Sequence, residues 1–452
     1  MRQRMMSVPR RPQIARTRSS VNPIYAIWPL LLGMGVLMLG AGLQSTLLGV
    51  RATSEAFPTA LTGIIMSCYY VGYLVGTRLA PQLLRRVGPV RVFATLAALA
   101  SVAPLVHASW VHPIPWALMR LVSGICFAGI YVVAESWLNH RASRTNRGQM
   151  LAIYMLVLYV GLGGAQFLLV LSSPQSSEPF MLVSALISAA MVPIVASAQE
   201  VSGPATPQRV RFRDLYRNSP LGVVAVAFSG MISSIIFSMG PVYARLSGFG
   251  TRGVAGFMAV SILAAVLTQY PIGRLSDRLD RRTVIASMCL VATVVAAVIE
   301  IFGPLQWLVF LALAALFSGS ALTLYSLSVS HVNDKLEPSQ MIAASSALLL
   351  INGMAAALGP LITGSLMGAF GARAYFGVLG TLTGTLTLFD LWRKLRRSAV
   401  PRSQKSPFIN TRELVSSAGL GPAAPAAEPP APSLGQRAAE GSATPAAQGT
   451  PR

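Results

Sequence analysis

The sequence predicts an all-α membrane protein: twelve transmembrane helices in two related six-helix bundles, both termini cytoplasmic. Three observations predict it. Hydrophobic residues make up 53% of the chain and charged residues only 11%, against roughly 25% charged in soluble domains. Apolar stretches of about 20 residues, long enough to cross a bilayer core, recur along the whole chain. The arginines gather in short clusters in alternate gaps between those stretches.

Residues 1–25 carry Arg2, Arg4, Arg10, Arg11, Arg16 and Arg18 with Pro9 and Pro12. This is too basic for a signal-peptide leader, and no small-residue cleavage site follows the next apolar run, so a disordered cytoplasmic tail is expected. An N-terminal bundle over 26–199 then holds apolar spans at 27–50, 59–80, 92–110, 114–137, 149–171 and 179–198. The linker, 200–218, contains Arg209-Val-Arg-Phe-Arg213 and Tyr216-Arg217. It reads equally as a basic segment resting on anionic lipid or as a plain solvated connection. The C-terminal bundle, 219–397, has spans at 220–243, 253–273, 283–302, 305–329, 341–368 and 374–392. Beyond it, 398–452 is rich in Pro, Ala, Ser and Gly without apolar period, as in a disordered tail.

Orientation follows from the connectors. With the N-terminus inside, the cytoplasmic gaps hold Arg78, Arg85, Arg86, Arg91, Arg141, Arg144, Arg147, Arg217, Arg274, Arg278, Arg281, Arg282 and Lys335, among others. The outer gaps hold only Arg51, Arg245, Arg252 and Arg373. Basic residues resist translocation, so both termini are expected inside; arginine far outnumbers lysine, as in a GC-rich bacterial genome, so the inner membrane of a bacterium is expected.

The same distribution argues against nucleic-acid binding. The net charge is +22, but its clusters lie between membrane spans and form no single soluble face. Cys68, Cys126 and Cys289 sit within apolar runs and read as packing residues. Met34, Met38, Met66, Met119, Met150 and Met155 read the same way. His107, His112, His140 and His331 have no metal-ligand spacing. No phosphate-binding glycine loop exists, and none of Lys335, Lys394 and Lys405 follows a glycine. Neither an enzyme nor a nucleotide-driven pump is expected, and no cofactor.

The halves echo each other at a shift of 192 positions, the distance from Arg86 to Arg278. Arg86-Val-Gly88 matches Arg278-Leu-Asp280, and Gly161 and Ala165 match Gly353 and Ala357. Two such halves imply a pseudo-two-fold axis along the membrane normal and a central site between them.

The connector Gly273-Arg-Leu-Ser-Asp-Arg-Leu-Asp-Arg-Arg282 resembles the cytoplasmic signature of the major facilitator superfamily, G-x-L-x-D-R-x-G-R-R. Asp280 replaces its second glycine, a departure that fits the tolerance of Asp for turn geometry. The first-half copy is degenerate: it keeps Arg86, Gly88 and Arg91 but has Pro81 for the leading glycine and Arg85 for the acid. Arg120-Leu-Val-Ser-Gly124 resembles the family's R-x-x-x-G pattern in helix four. Gly161 with Gly164, and Gly353 with Gly359-Pro360, resemble its glycine motifs in helices five and eleven. The resemblance implies a monomeric secondary transporter that moves a small organic solute by alternating access, with proton coupling. Efflux of amphipathic compounds and uptake of organic anions are both compatible, and a transport-inactive sensor or scaffold is the alternative. It further implies that helices one, four, seven and ten line the path, and that the second-half loop holds the cytoplasmic face shut.

Within helix four, Arg120, Gly124, Phe127, Tyr131 and Glu135 form one stripe, expected to face the bundle interior because a charge in lipid is costly. Arg120 and Glu135 stand about 22 Å apart along the axis and cannot pair. Arg120 has three readings: anion recognition, support of proton movement, or a structural hydrogen bond to helix-one carbonyls. Glu135 is read as a coupling carboxylate or as a gate partner of Arg85, Arg86 or Arg141. Asp277 is expected to cap a helix or pair with Arg278, Arg281 or Arg282. Further cavity candidates are Gln44, Ser234, Ser238, Ser318, Tyr325, Ser328 and Asn352, with interhelical bonding the competing role for the serines. Glu300 and Asp390 read as boundary residues.

Overall fold

The computed structural model describes residues 27–141, 147–197, 212–303, 305–336 and 338–396. The expected tails, the linker as far as residue 211 and Arg144 lie outside them. Among the described residues all regular structure is helical. The first half comprises α1 (Trp28–Ser54), α2 (Thr59–Val87), α3 (Pro89–Ser109), α4 (Pro113–Arg141) and α5 (Arg147–Leu168), with a sixth span built from α6 (Glu178–Ala189) and α7 (Met191–Ala196). A short α8 (Phe212–Asn218) closes the linker. The second half comprises α9 (Pro220–Leu246), α10 (Thr251–Arg278) and α11 (Arg281–Phe302). Its tenth span is α12 (Trp307–Ala321) plus α13 (Leu324–Asn333), followed by α14 (Pro338–Phe370) and α15 (Ala374–Arg396). Among the described residues, twelve runs are long and apolar enough to span a membrane. Proline occupies the first turn of α1, α3, α6 and α9, where its missing N–H leaves no helical bond unmade.

The helices outrun their apolar spans at the arginine-rich ends. α2 continues to Val87 and α10 to Arg278, so the charged connector of the second half is mostly helix, with only Leu279 and Asp280 between α10 and α11. Backbone bonding continues through these turns while long arginine side chains reach out to the polar zone. Two local conformations separate the copies. Gly88 has φ 89°, a left-handed geometry that suits glycine. Asp280 has φ −63° and accepts a hydrogen bond from the Arg282 amide as the N-cap of α11. The substitution at Asp280 is thus explained by capping; the tolerance of turn geometry expected from the sequence is not used.

Small residues let the spans approach closely, as membrane helices require in the absence of a hydrophobic force between them. Gly124 of α4 lies directly on the Tyr69 carbonyl of α2, and Gly161 of α5 sits against the Gly35 carbonyl of α1. Gly164 abuts Leu39, Gly353 abuts Leu74, and Gly359 packs on Ser234 and the Met231 carbonyl of α9. The repeat is visible in three dimensions. Ser45 donates to the Phe237 carbonyl at 3.0 Å across a separation of 192 residues. Gly49, one turn on, packs on Pro241 at the same offset. Positions related by the repeat therefore meet each other where α1 crosses α9.

In α8, Leu215 is buried with Val223, Val226 and Tyr325 of the second half, whereas Arg213, Tyr216 and Arg217 are exposed. In α15, Asp390 is 0% exposed near the end of the apolar span, close enough to act electrostatically on Cys289 of α11.

Candidate functional site

Between the halves lies a small cavity. The first half lines it with Gln44 and Ser45 from α1, Tyr69 and Tyr70 from α2, Arg120, Phe127 and Tyr131 from α4, and Gln166 from α5. The second half contributes Phe237 from α9 and Met258 and Ile262 from α10. Gln44 stands ten residues, about 15 Å, from the end of α1 that leads into α2. The cavity is therefore nearer the face opposite the arginine-rich connectors.

Arg120 is the electrostatic centre. It is 4% exposed, and its guanidinium carbon lies 4.5 Å from the centre of the Tyr69 ring, a cation–π contact. Among the described residues no carboxylate pairs with it and its Nε has no hydrogen-bond partner. The structural bond to helix-one carbonyls expected as one reading is thus not made. Gln44, 2% exposed, likewise has an amide nitrogen without a partner among the described residues. Tyr131 donates weakly to the Met38 sulfur at 3.4 Å. Gln166 is held in place: its Oε1 accepts from Thr46 Oγ1 at 3.0 Å and its Nε2 donates to the Leu162 carbonyl at 3.3 Å.

Two inter-half bonds flank the cavity: the Ser45–Phe237 bond described above, and Tyr70 Oη with Ser238 Oγ at 3.1 Å. Toward the same face, Gly63 of α2 rests against the Pro360 carbonyl of α14, and Gly364 against Thr59. A side chain at Gly63 or Gly364 would meet backbone there, so the halves touch main chain to main chain at that end.

The structure thus brings Gln44, Tyr131 and Arg120 to one cavity and Ser238 to its rim. Other candidates fall elsewhere. Ser234 and Ser328 donate to carbonyls of their own helices, Met231 and Leu324. Asn352 of α14 clamps α9 through the Val226 carbonyl at 3.1 Å. Tyr325 is buried in the cluster around Leu215, and Ser318 on α12 also lies outside the lining. Helices two, five and eight line this cavity beside one, four and seven, and no residue of helix ten does. The tenth span is broken at Leu322 and Thr323; its Tyr325 packs with Leu215, Val223 and Val226 and lies within electrostatic range of Tyr73 of the first half.

At the arginine-rich face the second-half connector forms an ion-pair knot. Arg281, 1% exposed, bridges Asp277 at 3.0 Å and Asp334, at the end of α13, at 3.2 Å. Among the described residues Asp277 pairs only with this arginine of its own half. Arg282 is buried, Arg278 exposed, and Gly273 buried inside α10. In the first half Arg85, Arg86 and Arg91 are exposed. Glu135 is 4% exposed and within electrostatic range of Tyr73.

The sequence reading missed Tyr69, Tyr70, Ser45 and Gln166. Tyr69 and Tyr70 carried a usable signal, two adjacent phenols inside an apolar span, which place one ring under Arg120 and the other at the opposing half. Gln166 was visible as the polar residue next to the glycines of helix five.

A model of the Major Facilitator Superfamily matches residues 30–266 and 249–432. The uncharacterized MFS-type transporter YcaD of Salmonella arizonae is 30% identical over 362 residues, covering 78% of this chain and 92% of that one. Its namesake in Escherichia fergusonii is 29% identical over 378 residues, covering 82% and 96%. Among solved structures, the nucleoside transporter NupG superposes with a TM-score of 0.68 at 13% identity, over 82% of this chain and all of NupG. A bacterial homolog of the human lysosomal transporter Spinster, in an inward-facing and occupied conformation, gives 0.68 at 14% identity, over 84% and 98%. With the family match spanning both bundles, this chain is a member of the major facilitator superfamily of transporters.

Proposed function

We propose that this protein is a monomeric, proton-coupled secondary transporter of the bacterial inner membrane. In this reading both termini are cytoplasmic, the two halves rock about the cavity between them, and Arg120 engages the cargo. One observation carries the proposal. A buried arginine without a carboxylate partner among the described residues faces a cavity walled by both halves, and an intramembrane charge is retained against its cost where it serves a pathway. Glu135, on the same α4 stripe toward the arginine-rich face, is the carboxylate assigned to proton coupling, with Tyr73 beside it. Asp277 and Arg281 belong to the machinery of the cytoplasmic face. Direction of transport follows from the gradient and the cargo.

The test combines cells and liposomes. Solutes whose uptake or efflux differs between deletion and overexpression strains are followed in proteoliposomes under an imposed proton gradient. Gradient-dependent flux is expected, lost in Arg120→Ala and uncoupled from the gradient in Glu135→Gln. Normal flux in Arg120→Ala would remove the cavity from the mechanism. Absence of flux for every solute so identified would leave the sensor or scaffold reading in its place.

A further inference from the structure

The cavity has a chemical polarity that narrows its cargo, given the reading of it as the transport site. Its donors come from one half. The Arg120 guanidinium and the Gln44 amide nitrogen are both buried, both lack hydrogen-bond acceptors among the described residues, and both line the same cavity. A buried polar group left without a partner is unfavourable, and a buried cation more so. Each is relieved by the same thing: an acceptor brought in by the occupant. The opposite wall is Phe237, Met258 and Ile262, which offers apolar side chains and a polarizable thioether.

We infer that the cargo is an amphipathic organic monoanion, a carboxylate or equivalent single-charge acid on an aromatic or aliphatic body. Its acid head sits between Arg120 and Gln44 of the first half, and its apolar body lies against the second half. A carboxylate has two acceptor oxygens, one for the guanidinium and one for the amide, and charge-assisted bonds of this kind are the strong ones. Whichever way round the Gln44 amide is placed, it supplies a donor. Dianions and phosphates bring a second charge for which no further lysine or arginine lines the cavity. Cations meet Arg120 and no carboxylate, and sugars meet a wall that satisfies few hydroxyls.

The arrangement also joins recognition to movement. Phe237 is at once part of the apolar wall and, through its carbonyl, the acceptor of the Ser45 bond between the halves. An occupant that contacts Arg120 and Phe237 together touches both moving bodies.

The full-length protein, purified in detergent, tests this by thermal stabilisation with matched probes: benzoate, 2-naphthoate and octanoate against benzamide, 2-naphthamide and octanamide. Succinate and 2-naphthylmethylamine serve as dianion and cation. The expected result is stabilisation by at least one of the larger carboxylates, with at least tenfold weaker binding of its amide and of succinate. Gln44→Glu, which sets a competing carboxylate in the same cavity, is expected to abolish binding while the protein stays folded. Arg120→Lys should retain weakened anion preference and Arg120→Met should lose it. Equal stabilisation by acid and amide, preference for the amine or for succinate, or no shift with any of the three carboxylates overturns the inference. The transport reading is judged separately: a neutral or cationic solute that crosses proteoliposomes only with Arg120 intact would sink the anion and keep the transporter.

Discussion

Gln44, Ser45 and Tyr70 of the first half stand 192 residues before Ile236, Phe237 and Ile262 of the second. On one scaffold, used twice, the first copy supplies hydrogen-bonding groups at the cavity and the second supplies apolar ones. At the arginine-rich face the contrast reverses. Asp277 and Arg281 of the second half form an ion-pair knot with Asp334, while the corresponding first-half positions are Arg85 and Pro89, which form no such pair. Hydrogen-bonding groups at the cavity are concentrated in one bundle, and the ion pairs of the arginine-rich face in the other. A symmetric fold does not require symmetric chemistry.

The largest expected effect tests the knot. Arg281→Met removes the buried cation that bridges Asp277 and Asp334, and breaking a buried pair costs about 3–5 kcal/mol. A clear fall in melting temperature of the detergent-purified protein is expected, with partial recovery in the Arg281→Met, Asp334→Asn double variant. An unchanged melting temperature would show that the second half does not depend on this knot. A middle-sized effect tests the cavity. Gln44→Ile gives the first half the residue of its counterpart, and loss of one hydrogen bond to a charged group is worth about 1.5 kcal/mol, or roughly tenfold in affinity. Ile236→Gln, at the equivalent place in α9, is expected to leave affinity as it was. Equal losses in both would dissolve the contrast between the halves. The smallest effect concerns the flanking bonds. Tyr70→Phe removes the bond to Ser238, worth about 1 kcal/mol, so the balance between closed and open forms should move about fivefold. Single-cysteine labelling of the face near Gly63 would read that shift while the melting temperature stays put.

Much of this architecture was open to sequence reading, because lipid imposes a length and a hydropathy that leave a plain record. Each apolar span falls on a helix or a broken pair of helices, and helix four's stripe from Arg120 to Glu135 is buried as its spacing required. Gly124, Gly161 and Gly359 also announced their close contacts. The set of lining helices was not legible. Whether Asn352 or Tyr69 meets the cavity depends on the rotation of each helix about its axis, and apolar residues on every side of a buried span erase the periodic signal that would set it. The helical character of the second-half connector was missed for a related reason: charge marks the edge of the lipid, whereas the helix ends where its backbone is capped, at Asp280.

The meeting of Ser45 with Phe237, and of Gly49 with Pro241, has a further consequence. Residues on a two-fold axis confront their own copies when the halves are identical, so each must be self-complementary and every change there is made twice. Joining the halves in one chain lifts that restriction. A hydroxyl could then be fitted to a neighbour's carbonyl, and a glycine to a proline ring, each altered on one side alone. The axis is where the two halves are held to the greatest likeness by geometry, and where being a single polypeptide gives them the most freedom to differ.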